Sequence, residues 1–184
     1  MQNTEVAAVP DVMPRTQVST PHVSDLVADA LASAIERCRQ RLGLESQEGV
    51  IDRLRSGDFG ACDYFRHDLA CGVGACLGML DRAIQEVHLF SYSTTPDDAY
   101  LDEANLSSPL HLIVKVERKT AALSSVIKAV DEALVQHYAA LVGRPALTRV
   151  LDAQVVDGTE VEKRIGYGAL FSSVYNRPLL VWER

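Results

Sequence analysis

The sequence predicts an α+β fold, a mixed β-sheet of three to four strands with helices packed mainly on one face and further helices at the N-terminal end. Three observations carry that prediction. Apolar residues recur at the helical period of 3.6 through several segments bounded by capping residues. Short runs rich in β-formers are interleaved with them. Two such runs, Glu86–Tyr92 and Leu110–Glu117, follow one another with only a polar loop between them, and a third run comes after a long helical segment. The first two strands are therefore expected to be antiparallel, and the strand–helix–strand step a right-handed parallel crossover.

In chain order, residues 1–22 are polar and punctuated by Pro10, Pro14 and Pro21, with no apolar stretch of the kind a secretory signal needs. They are expected to form a flexible tail, with residues 23–184 folding as a single domain. Ser24 is placed to cap a first helix whose apolar positions include Leu31, Ile35 and Cys38 and which Gly43 stops. A shorter helix is expected over Gln47–Arg55. Asp58 is placed to cap a third, over Phe59–Leu80. After the first strand and the loop Thr94–Ser108 comes the second strand. Thr120 then caps a long helix with Leu123, Val126, Ile127, Val130, Leu134, Tyr138 and Leu141 on one stripe, closed by Gly143. A third strand is expected over Arg149–Val156, ended by Asp157-Gly158. Thr159 and Glu162 fit a capping box for a last helix over Glu160–Tyr175. Leu179-Leu180-Val181-Trp182, after Pro178, reads as an edge strand.

Composition excludes several classes. With 47% hydrophobic and 23% charged residues in 184, the chain reads as one globular domain large enough to bury a core. A net charge of −7 argues against non-specific binding to nucleic acid. No apolar run is long enough to cross a bilayer. Four cysteines without an export signal point to reduced thiols and a cytoplasmic location.

Three positions then bear on chemistry: Phe90-Ser91 or Tyr92-Ser93 at the end of the first strand, Pro109-Leu110-His111 at the start of the second, and Asp152 within Leu151-Asp152-Ala153-Gln154 on the third. From residue 59 onward the order of elements, with these residues at its strand ends, resembles the core of the polymerase-β-like nucleotidyltransferase superfamily. The resemblance implies a Gly-Ser pair closing the first strand, an Asp-x-Asp pair opening the second and a third carboxylate on a later strand. In that superfamily the acids hold two Mg²⁺ ions that clamp a triphosphate and activate the attacking hydroxyl. Here no glycine precedes Ser91 or Ser93, Pro109 and His111 stand at the aspartate positions, and of the three acids Asp152 alone remains. Little is then left to balance the charge of two Mg²⁺ ions, so a degenerate member with no cofactor is expected.

Strand alternation puts Leu110, Leu112, Val114 and Val116 on one face and His111, Ile113, Lys115 and Glu117 on the other. Asp152 and Gln154 likewise share a face of the third strand. If the two polar faces look the same way, His111, Lys115, Asp152 and Gln154 line a shallow surface suited to an anion or a base edge, with Ser91 and Ser93 at its end. These six residues are the candidate ligand-binding set. The alternative is a wetted sheet surface carrying ordinary cross-strand charge pairs.

Other constellations carry less. Cys62, His67, Cys71 and Cys76 lie close in sequence, but on one helix His67 and Cys71 share a face while Cys62 and Cys76 fall on a different side, so buried thiols are expected rather than a metal site. Ala70, Gly74 and Gly78 recur every four residues and would offer a flat strip to another helix, of this chain or of a second copy. Gly72-Val73-Gly74 lacks the leading strand of a phosphate loop. His67-Asp68 is a bare dipeptide without flanking histidines. The acidic loop Asp97–Glu103 lacks the ligand spacing of a calcium loop.

The expectation is thus a non-catalytic nucleotidyltransferase-like binding or regulatory module, with a nucleotide, a protein partner or a second copy as its ligand. One alternative is an active Mg²⁺-dependent enzyme in which Asp97, Asp98 or Asp102 folds back beside Asp152. Another is a structural, self-associating subunit, for which the small-residue strip and the apolar end at Trp182 are the hints.

Overall fold

The computed structural model describes residues 22–90, 109–143 and 148–184. Its elements are α1 (Val23–Arg41), α2 (Gln47–Ser56), α3 (Phe59–Leu80), β1 (Ile84–Leu89), β2 (Leu110–Val116), α4 (Ala121–Val142), β3 (Leu151–Asp157), a short α5 (Gly158–Lys163), a 3-10 helix (Gly166–Ser172) and β4 (Leu179–Glu183). The four strands form one mixed sheet in the order β3-β2-β1-β4. β1 is antiparallel to both β2 and β4, while β2 and β3 are parallel, as expected of a strand–helix–strand crossover. The fold is α+β. Helix α3 packs on β1, β2 and β4, α4 on β3, and α1 lies across α3 and α4.

Local chemistry explains most of the boundaries. The side chains of Asp58 and Thr120 accept from the amides of Ala61 and Leu123, capping α3 and α4. Gly143 closes α4 at φ 63°, a left-handed conformation that costs glycine little. The first helix differs from expectation. His22, rather than Ser24, is its N-cap, and Ser24 Oγ instead lies 2.8 Å from His137 Nε2 on α4. Strand β1 starts at Ile84, which is fully buried, because the Asp81 carboxylate accepts from Ala83 N and turns the chain directly out of α3.

The last predicted helix is two pieces. Asp157 and Glu160, not Thr159 and Glu162, make the reciprocal capping box, at 3.0 and 3.1 Å. Arg164 at φ 53° then ends α5 after six residues. The chain folds back so tightly that a Cβ on Gly168 would lie 2.4 Å from Glu160 O, and only glycine fits.

The core lies between the sheet and the two large helices. Phe65, Leu69, Leu77, Leu112, Val114, Leu134 and their neighbours are buried there. The small-residue strip of α3 has a different partner from the one expected. Gly74 and Gly78 receive the Trp182 side chain of β4: a Cβ on Gly78 would sit 2.2 Å from its ring. The close helix approach is instead at Gly72, against Ala30 of α1. The strip and the Trp182 side chain are therefore consumed within the chain, whereas Leu179 and Leu180 of the same strand stay exposed. Arg184 locks the arrangement, donating to Gly78 O at 2.6 Å and Ile84 O at 3.1 Å while its guanidinium lies over the Trp182 ring.

Candidate functional site

The parallel register of β2 and β3 sets His111 beside Asp152 and Ile113 beside Gln154. The antiparallel register of β1 and β2 sets Glu86 beside Lys115 and His88 beside Ile113. Directly paired residues share a face, so His111, Lys115, Asp152 and Gln154 do lie together on the side of the sheet away from α3. Glu86 and His88 of β1 join them. Ser91 and Ser93, together with Asp97, Asp98 and Asp102, lie outside the described residues.

The polar side chains form two groups separated by Ile113. In the first, Asp152 gathers the donors: His111 Nδ1 at 3.1 Å, Gln154 Nε2 at 3.2 Å, and the Arg149 guanidinium in close contact. Arg149 is held in place by donating from Nε to Leu151 O at 2.9 Å. In turn, Asp131 of α4 accepts from the amides of Val150 and Leu151 at 2.9 and 2.8 Å, which fixes the start of β3. In the second group, Glu86 bridges Lys115 Nζ at 2.5 Å and His88 Nε2 at 2.8 Å. Burial pushes the Glu86 carboxyl up, but the hydrogen bonds from Lys115 and His88 outweigh it and hold the group below the ordinary glutamate range.

This face carries the cross-strand Lys115–Glu86 charge pair of the alternative, but it is half-buried and not fully open to water. Ile113 and Val156 are 1% and 2% exposed, and His88 is buried. The 3-10 helix packs on β3, and its Phe171 meets the His88 ring edge-on, with centroids 4.7 Å apart. Among the described residues His88 Nδ1 is buried without a hydrogen-bond partner. The surface is a partly roofed polar ladder in which each acid is already matched by cations.

Three members of this ladder, Glu86, His88 and Arg149, are absent from the candidate set read from sequence. The Glu86-x-His88 spacing on a predicted strand was a usable signal, since residues two apart share a face. Arg149 stands three residues before its partner Asp152, a spacing that strand alternation alone does not mark.

Among the described residues the cysteines do not gather into a site. Cys38, Cys62 and Cys76 are buried, and Cys71 is half-buried. Burial pushes every one of these thiols up, Cys38 and Cys76 to about 11, which leaves them protonated near neutrality. Two of them donate to backbone carbonyls, Cys38 to Ala61 O and Cys76 to Leu26 O. His67 sits 3.3 Å from the buried Asp68 carboxylate, which also pairs with Arg41 at 3.0 Å and ties α3 to α1. Among the described residues no three His, Cys, Asp or Glu side chains gather in a way that could hold a metal ion. Nor is any helix long and apolar enough to cross a membrane. No family model matches this chain, and neither a curated protein nor a solved structure is significantly similar to it.

Proposed function

We propose that the chain is a cytoplasmic, non-catalytic binding or regulatory module with a degenerate nucleotidyltransferase-like core, and that its polar ladder takes a nucleotide without Mg²⁺. One observation supports this reading most. Asp152, the acid at the position of the superfamily's third carboxylate, accepts from Arg149, His111 and Gln154. A carboxylate matched in this way has its charge balanced by protein donors and has little to offer a divalent cation. His111 Nδ1 and Gln154 can exchange these bonds for the edge of a base, while Arg149 and Lys115 supply charge for a phosphate.

The test is the melting temperature of the full chain against a panel of nucleoside mono-, di- and triphosphates, with and without Mg²⁺. A ligand at about a hundred times its dissociation constant adds roughly 2.7 kcal/mol, which is about 5–10 °C for a domain of this size. The expected result is a shift that needs no Mg²⁺ and disappears in His111→Ala. A shift that requires Mg²⁺, or Mg²⁺-dependent nucleotide transfer, would replace this reading with the displaced-carboxylate enzyme. No shift with any nucleotide would overturn nucleotide binding altogether.

A further inference from the structure

The two edges of the sheet are finished differently. At the β3 edge the strand carries Asp152 and Gln154, is packed by the 3-10 helix, and has no exposed large apolar side chain. At the β4 edge the strand pairs, among the described residues, only with β1. Leu179 and Leu180 are 53% and 43% exposed there, and the approach to the strand carries Val174 and Tyr175 at 88% and 94%. An edge of this kind presents unpaired backbone donors and acceptors beside apolar side chains, which is a template for another strand. Its inner side is firmly held by Trp182 against α3 and by Arg184 on three backbone carbonyls, so the outer side is presented by a fixed strand.

The charges say which strand fits. Arg177 and Glu183 flank Leu180 at equal distance in sequence, three residues on either side. Among the described residues neither has an ion-pair partner. Glu183 also stands opposite Glu86 of β1, a like-charge cross-strand pairing that Lys115 and His88 relieve only from the Glu86 side. An antiparallel copy of the same strand centred on Leu180 would set Arg177 opposite Glu183 twice, once at each end, and Leu179 opposite Val181 between them.

We infer that the β4 edge is a homodimer interface, in which two copies pair antiparallel about a twofold axis at Leu180 and extend the sheet through both protomers. Such an isologous contact is self-complementary in charge and closes on itself instead of growing into a fibre. The bulge in β4 and Pro178 limit the pairing to a short stretch, so the two Arg177–Glu183 pairs and the apolar side chains carry the register.

The experiment is sedimentation of the full chain over a concentration series, run on the wild type, on Arg177→Glu, on Glu183→Arg and on the double reversal. Neither single substitution touches the core, because both residues are exposed. The wild type is expected to dimerise. Each single reversal, which sets like charges opposite each other at both ends, should weaken the dimer about tenfold, and the double reversal should restore it. Leu180→Cys, oxidised mildly, should give a covalent dimer across the axis, whereas Ser172→Cys should not. A chain that stays monomeric at every concentration overturns the proposal. A dimer indifferent to both charge reversals, or one that Leu180→Cys fails to link, overturns this interface.

Discussion

On the α3 side of the sheet, Leu110, Leu112, Val114, Val116, Val87 and Leu151 are buried in the hydrophobic core. On the opposite side the same strands carry Glu86, His88, His111, Lys115, Asp152 and Gln154, joined in chains of hydrogen bonds beneath a short 3-10 helix. The strands are common to both faces, so the difference lies in how each face reaches stability. The first does so by shape, where every methyl counts and little can be exchanged. The second does so by matching charges, each pair contributing little to stability.

The comparison is most sharply tested by truncating one residue from each face of β2. Leu112→Ala should lower stability by about 2–5 kcal/mol, from lost transfer energy and the cavity left behind. Lys115→Ala, three residues along and partly exposed, should cost about 0–1 kcal/mol. Urea unfolding measures both. Equal losses would mean that the polar ladder is as tightly integrated as the core.

A smaller effect is expected from overfilling the apolar side. Gly78→Val places atoms where the Trp182 ring already lies. Because an indole in a packed layer cannot swing aside, the cost should be about 1–3 kcal/mol. It should shrink when Trp182 is also cut to alanine, since the two substitutions share one space. A penalty independent of Trp182 would place the constraint in the helix itself.

The smallest effect concerns acid. Glu86 has a folded value held below its ordinary 4.5 by Lys115 and His88 against the opposing effect of burial. A depressed carboxylate stabilises the native state above its unfolded value, and that contribution is lost as pH falls through the folded value. The gap in unfolding midpoint between wild type and Glu86→Gln should therefore be present near neutral pH and close as pH falls past the ordinary glutamate value and through the lowered folded one. A gap that stayed constant with pH would mean that Glu86 acts through packing alone.

Much of the fold was legible because its signals are local. Asp58, Thr120 and Gly143 cap the helices that their side chains and φ preferences announce, and the apolar stripe from Leu123 to Tyr138 marks α4 without help from the rest of the chain. The misplaced boundaries have local causes too. The box pattern recurs at Asp157–Glu160 and at Thr159–Glu162, and only the backbone path out of β3 chooses the first. The left-handed turn at Arg164 has no glycine to announce it. Of the polar ladder, His111, Lys115, Asp152 and Gln154 could be placed by alternation, whereas Arg149 and the roof at Phe171 could not.

The sequence alone determined the type and order of the elements, because periodicity, caps and β-propensity act over a few residues. It also determined which face of each strand is apolar, since alternation is a property of one strand. Only the tertiary structure decided what fills the glycine strip of α3, that His111 of β2 reaches Asp152 of β3, and the order of the strands in the sheet. Each of these depends on residues far apart in the chain, brought together by strand register and by the fit of one side chain into the space another leaves free.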